Sequence, residues 1–249
     1  MKCLILAAGY ATRLYPLTEN FPKPLLKVKG KCIIEWLIDD IRAKNIVDEY
    51  VIITNHKFAD IFEKWAKNKD CNITVVDDGT STNETRLGAV KDIEFAIDKL
   101  CIKDDILAFA GDNVLDFSLA EFVYYCLIKK TTCVMRYFEK DVKTLSKRGV
   151  LELDGDRVVN MEEKPLDPKS QWCCPPFYYY TAQDAAKIKE AIADGCGLDA
   201  PGSFISWLSQ RSAVNAMEMR GQRYDIGNLE SYNNVCKIYN GINNSENKI

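Results

Sequence analysis

Arg13, Lys23, Asp112 and Asp225 are the side chains whose types and settings could do chemistry, and the chemistry they suit is that of phosphate. Arg13 comes near the end of LAAGYATRL, residues 6 to 14. Its small residues let the backbone approach a ligand and aim N–H groups at it, while an arginine fork matches phosphate oxygens. Lys23 lies in FPKPLL between Pro22 and Pro24, two prolines that stiffen its loop. Asp112 ends an apolar run in AGDN, residues 110 to 113, and a carboxylate beside a glycine at a strand end can hold a hard cation such as Mg2+ that bridges phosphates. Asp225, in RYDIGN, leads into the last helical pattern. Two strand-end aspartates with one arginine and one lysine are the parts of a metal-assisted phosphoryl or nucleotidyl transfer site, where positioning and charge neutralisation supply most of the catalysis. Taken singly, each has a blander explanation: small residues often follow a first strand, loop lysines are usually solvated, and aspartates often cap turns.

These residues act together only if the fold brings them to one edge, and the chain reads as alternating strand and helix. Lys2–Ala7, Glu49–Thr54, Cys71–Val76 and Asp105–Ala110 are strand-like runs; Cys32–Ala43, Lys57–Lys67 and Thr85–Leu100 carry apolar residues at helical spacing. Such alternation predicts a Rossmann-like α/β fold, a mostly parallel sheet with helices on both faces. In such a sheet, ligands bind beyond the carboxyl ends of the strands, where the motifs above lie. The second half is mixed. After helix Ser118–Lys129 and strand Thr131–Phe138, GVLEL, the turn Asp154-Gly155 and DRVVNMEEK signal a β-hairpin insertion. Phe177–Thr181 and Ala213–Met219 read as strands, Asp184–Ala193 and Ser203–Ser209 as helices, and Asn228 caps a last helix running to Tyr239.

Length and composition predict one domain over residues 1–240, with a frayed polar tail at 241–249. A formal charge of -3 with lysine and glutamate interspersed gives no basic stripe for nucleic acid. The absence of a long apolar run or a secretion signal predicts a cytoplasmic protein without a membrane partner. Ten cysteines scattered through strand and helix patterns read as reduced, mostly buried thiols, not a disulfide framework or zinc site. The one histidine, His56, reads as a surface or pocket-rim side chain.

In order and spacing, LAAGYATRLYPLT with PKPLL, GDN at 111–113, MEEKPLDPKS at 161–170 and YDIGNLES at 224–231 together resemble the sugar-phosphate nucleotidylyltransferases, typified by glucose-1-phosphate thymidylyltransferase and its uridylyl relatives. The resemblance spans Lys2 to about Tyr232. It implies an enzyme that joins an NTP to a sugar 1-phosphate, giving an NDP-sugar and pyrophosphate. By the same resemblance Arg13 would hold the triphosphate and Lys23 the phosphates around the reacting phosphorus. Asp112 and Asp225 would bind Mg2+. Backbone atoms of Ala8 and Gly9, with Gly88, would face the nucleoside, while Gly149, Glu163, Lys164 and Tyr178 would form the sugar-phosphate site. LAAG leans towards a pyrimidine nucleotide, dTTP or UTP. The nucleophile would be the substrate's own phosphate oxygen, so no protein nucleophile is required.

The chain departs from the family pattern in three places. Ala11 replaces a second glycine, Pro175-Pro176 replaces a threonine-glycine pair, and Arg223 or Tyr224 stands where a tryptophan is usual. Also open are a cytidylyltransferase acting on phosphocholine or another non-sugar phosphate, a catalytically silent regulatory subunit, and a glycosyltransferase, though the last usually carries Asp-x-Asp where this chain has Gly111-Asp112-Asn113. A homo-oligomeric assembly is equally open.

Overall fold

The computed structural model describes residues 1–243; the rest of the expected tail, 244–249, lies outside the described residues. Along the chain the elements are β1 (Lys2–Leu6), β2 (Lys27–Val28), β3 (Lys31–Cys32), α1 (Ile33–Ala43), β4 (Glu49–Thr54), α2 (His56–Ala66) and β5 (Ile73–Asp77). Then follow α3 (Ala89–Lys99), β6 (Ile106–Ala110), β7 (Asn113–Leu115), α4 (Ala120–Lys129), β8 (Thr132–Phe138), β9 (Gly149–Asp154) and β10 (Arg157–Glu163). The last are β11 (Trp172–Cys174), β12 (Phe177–Tyr180), α5 (Ala182–Ala185), α6 (Ile188–Ala193), α7 (Gly202–Ser209), β13 (Val214–Glu218), β14 (Arg223–Asp225) and α8 (Leu229–Ile238). The fold is Rossmann-like α/β, and the described chain sorts into two compact units.

The first unit comprises Met1–Leu4, Leu87–Phe109 and Phe122–Met219. Its strands run in the order β11-β9-β10-β13-β8-β12-β6. Directions are mixed: β13 lies parallel to β8, whereas β12 is antiparallel to both β6 and β8, and β9 and β10 pair as the expected hairpin. The second unit comprises Ile5–Arg86, Ala110–Glu121 and Arg220 onward. Here β4 and β5 pair in parallel, with Tyr50 opposite Ile73 and Thr54 opposite Asp77. Helix α1 forms because Ile33, Ile34, Leu37, Ile38 and Ile41 bury one stripe, and Glu35 reaches back to the Cys32 N–H at 2.8 Å. Val28, Ile33, Val114, Ile226, Val235 and Tyr239 gather into one core cluster there, joining stretches far apart in sequence.

Several expected boundaries change, three of them for identifiable reasons. The long helix predicted from Thr85 starts only at Ala89, because Gly88 has φ of 91°, outside the helical range. Asp184–Ala193 divides into α5 and α6, with Lys187 between them bound to Asp184 Oδ1 at 2.9 Å and Ser212 Oγ at 2.7 Å. Helix α4 begins at Ala120 because the Ser118 hydroxyl is turned to Asp40 at 2.8 Å. All ten cysteines are thiols outside any disulfide, six of them buried. Among the described residues no helix is long and apolar enough to cross a membrane.

Candidate active site

In the second unit, β1 delivers the chain into its opening loop. The Ala7 N–H donates to Ile53 O at 2.8 Å, and the Ala8 carbonyl accepts from Asn55 Nδ2 at 2.9 Å. Asn55 is fully buried and also caps α2 through Oδ1. The sequence reading missed it as a support of the loop; its position just after β4 and before an apolar helix was the available signal. Gly9 is exposed and a side chain there would meet nothing within 4 Å, so the space over it is open. Ala11, standing where the resemblance expects glycine, is left-handed at φ 47°, ψ 41°. Its carbonyl is fixed by the Thr18 hydroxyl at 2.8 Å and the Leu14 N–H at 2.9 Å. A methyl in this conformation is strained, so Ala11→Gly is expected to stabilise the protein by about 1 kcal/mol, read by denaturant or thermal unfolding.

Arg13 follows, exposed, with its guanidinium 3.9 Å from where a Cβ on Gly227 would lie. Lys23 is drawn inward. Its ammonium donates to Asp112 Oδ2 at 2.6 Å and to Ile226 O at 2.8 Å, with the two side chains 12% and 29% exposed. Asp112 Oδ1 accepts from Asn113 Nδ2 at 2.6 Å, and Asn113 Oδ1 accepts from Arg223 at 2.6 Å. Asp225 reaches the same place because β14 pairs antiparallel with β7, setting Asp225 opposite Asn113, and the Ile226 N–H donates to Asp112 O at 3.1 Å. Two short strands unseen in the sequence therefore join the two predicted carboxylates, more than a hundred positions apart. Arg13, Lys23, Asp112, Gly9 and Tyr10 line a cleft of about 290 Å³, with Asn83 and Arg86 on its rim. His56 stands outside this set, exposed and 2.6 Å from Asp77.

The first unit holds the other predicted group. Gly149 pairs with Glu163 across the hairpin, and a Cβ on Gly149 would come within 2.7 Å of Met161 Cε. Glu163 accepts the Gly202 N–H at the start of α7, and burial raises its pKa while Lys164 partly offsets that. Any side chain on Gly202 would collide with Glu163 and Met161. Lys164 is exposed and left-handed at φ 52°. Tyr178 is buried, stacked on Tyr180 with centroids 6.1 Å apart, and Glu163 is near enough to help raise its pKa. Met161, Glu163, Cys196, Ser203, Trp207 and Gln210 line a cavity of about 420 Å³; the α7 members were not anticipated. Gly88 also belongs to this unit, whereas Ala8 and Gly9 belong to the second. A Cβ on Gly88 would sit 2.6 Å from Leu198 O, so this glycine lets α3 start against residue 198.

Glu163 yields a pH prediction. Its folded pKa is raised, so the folded state binds this proton more tightly than the unfolded chain, and stability from this group is greatest at low pH and is lost as pH rises through the window above 4.5. Glu163→Gln should therefore melt higher than the parent at neutral pH, and the gap should close as pH falls towards 4.5. A gap constant with pH would show the carboxylate is not penalised.

The sequence pattern of the nucleotidyl transferase family matches residues 2–240. The chain is 28% identical over 231 residues to the bifunctional protein GlmU of Methanocaldococcus jannaschii, covering 91% of this chain and 51% of that one. It is 25% identical over 245 residues to a glucose-1-phosphate adenylyltransferase of Fervidobacterium nodosum, covering 92% and 59%. It thus spans roughly half the length of the curated relatives it matches. Among solved structures, a UDP-glucose pyrophosphorylase complexed with UDP-glucose superposes with a TM-score of 0.79 at 20% identity, covering 96% of this chain and 97% of that one.

Proposed function

Since the chain belongs to the nucleotidyl transferase family, we propose that it is a sugar-1-phosphate nucleotidylyltransferase, joining an NTP to a sugar 1-phosphate and releasing pyrophosphate. The observation that carries this reading is the cleft of the second unit, lined by Arg13, Lys23 and Asp112, with Lys23 bound to Asp112 and Asp225 paired opposite Asn113 on the adjoining strand. The reaction needs charge neutralised and one phosphate oxygen aligned with the α-phosphorus of the NTP, and these residue types can do that without a protein nucleophile. Arg13, exposed at the mouth, would grip the triphosphate. Lys23 balances Asp112 and would meet the phosphates near the reacting phosphorus. The open space over Gly9 leaves room for a nucleoside against the loop backbone.

Asp112 and Asp225 supply a donor set that suits Mg2+, which takes one or two carboxylates and fills its shell with phosphate oxygens and water. Each Asp112 oxygen accepts one hydrogen bond and keeps a further lone pair. When bound, the metal would neutralise phosphate charge. In the first unit Glu163, Lys164 and Gly149 would take the sugar phosphate, beside the buried Tyr178. We infer a pyrimidine nucleotide, dTTP or UTP, a hexose 1-phosphate of the glucose type, and a cytoplasmic setting.

A pyrophosphate-release assay across the NTPs and a panel of sugar 1-phosphates and phosphocholine tests the proposal. Release with one NTP and one sugar phosphate is expected. Release with phosphocholine alone would move the protein to the non-sugar cytidylyltransferases, and no release with any pair would favour a silent regulatory subunit.

A further inference from the structure

Three cations line the cleft of the second unit, Arg13, Lys23 and Arg86, against one carboxylate, Asp112. Lys23 is bound to that carboxylate at 2.6 Å. By charge the lining suits an anion. Arg86 lies outside every motif that marks the site in the sequence, in the loop that follows β5.

Both walls of the cleft hang from one place, the end of β4 and the start of α2. On one side Ile53 O accepts the Ala7 N–H at 2.8 Å, and Asn55 Nδ2 donates to Ala8 O at 2.9 Å. On the other, Thr54 O accepts the Asp78 N–H at 2.9 Å, and the His56 N–H donates to Thr80 O at 2.9 Å. Residues 53 to 56 thus set the spacing between the opening loop and the loop that carries Arg86. The Gly79 N–H donates to Asp77 Oδ1 at 2.8 Å and the Thr80 N–H to Asp78 Oδ1 at 2.7 Å, which tightens the start of that second loop. Asn83–Thr85 then make one tight helical turn, closed by the Thr85 N–H on Thr82 O at 3.2 Å and the Thr82 N–H on Thr85 Oγ1 at 3.3 Å. One guanidinium nitrogen of Arg86 donates back to Asn83 O at 3.1 Å and Asn83 Oδ1 at 3.4 Å, so the two residues come to the cleft together.

We propose that Arg86 is a second phosphate-binding arginine of this cleft, gripping the phosphate chain of the nucleotide together with Arg13. The inference rests on reading the cleft as an NTP site. Arg13 follows the first strand and Arg86 comes from the loop after β5, so the two would hold the phosphates from both walls. Two arginines lining one cleft repel each other, and a bound polyanion relieves that repulsion. A guanidinium has five N–H donors and no acceptor, so Arg86 can keep its hold on Asn83 and still meet phosphate oxygens with a matching fork. The rival account is that Arg86 only closes its own turn through Asn83 O. Its loss would then cost stability and leave binding unchanged.

The test needs no turnover. Its probe is inorganic tripolyphosphate with Mg2+, which carries the phosphate chain without base or sugar, titrated into the full chain by calorimetry beside each common NTP. Arg86→Ala, and Arg86→Gln, which keeps a donor for Asn83 O, are each expected to bind tripolyphosphate and the preferred NTP about tenfold to a hundredfold more weakly than the parent. Their melting temperatures should stay within about 2 °C of the parent's. Arg86→Lys, which keeps the charge without the fork, should fall between. Unchanged tripolyphosphate binding in the Ala and Gln variants would overturn the proposal. Weaker NTP binding with unchanged tripolyphosphate binding would overturn it too, by moving Arg86 to the nucleoside. The two readings fail separately: a parent that binds tripolyphosphate through Arg86 yet makes no NDP-sugar keeps this inference and loses the proposed reaction, whereas a parent that binds neither tripolyphosphate nor any NTP loses both.

Discussion

Arg13→Ala is expected to lower kcat/KM by about 10² or more while the melting temperature stays within about 1 °C of the parent. Arg13 is exposed and makes no hydrogen bond or ion pair among the described residues, so little native structure depends on it. What it offers is a fork at the mouth of the cleft, where phosphate charge would rearrange during transfer. Lys23→Ala should cost a similar factor in rate but also about 1–3 kcal/mol in stability, because it leaves the partly buried Asp112 without its counter-charge and Ile226 O without its donor. Steady-state kinetics beside thermal melts separate the two. Near-normal turnover for Arg13→Ala with a lowered melting temperature would make Arg13 a structural residue and sink its assignment.

The aspartates are expected to behave as one unit. If Asp112 and Asp225 share an ion, each Asn variant should cripple turnover and need far more magnesium for half-maximal rate, since an amide is a poorer ligand for a hard cation. The double variant should lose much less than the product of the single losses, because groups acting together are not additive. Asp112 already holds Lys23 at 2.6 Å, so Asp112→Asn should also lower stability, and by more than Asp225→Asn, whose more exposed carboxylate stands 3.9 Å from Arg223. Magnesium titration of the parent and the three variants measures both effects. Multiplying losses with an unchanged magnesium requirement would rule out a shared ion.

Much of this was legible in the sequence because the signals are local. Strand Glu49–Thr54 and helix α1 follow from unbroken apolar periodicity, and the Asn228 cap of α8 from one side chain bonding the Ser231 N–H. Other stretches blurred for physical reasons. Helix α3 was read too long because its apolar spacing runs past Gly88, whose φ stops the helix. Strands β7 and β14 are three residues each, too short for any period to register, and they exist because each supplies the other's partner. The motif residues were found by type. Their meeting at one sheet edge was expected, but not the contacts that make it, since that of Lys23 with Asp112 and the support of Ala8 by Asn55 depend on pairings that no stretch of sequence contains.

The pairing of β7 with β14 also bears on how the molecule comes into being. Lys23 waits for a carbonyl 203 positions downstream, and Asp225 finds its place only against residue 113. Chains emerge from the ribosome N-terminus first, and long-range closures come late. A nascent polypeptide of some two hundred residues would thus carry Arg13, Lys23 and Asp112 without a finished cleft. The site is completed only once β14 has been made, so a ribosome that stalls or a message cut short before β14 would leave it unassembled.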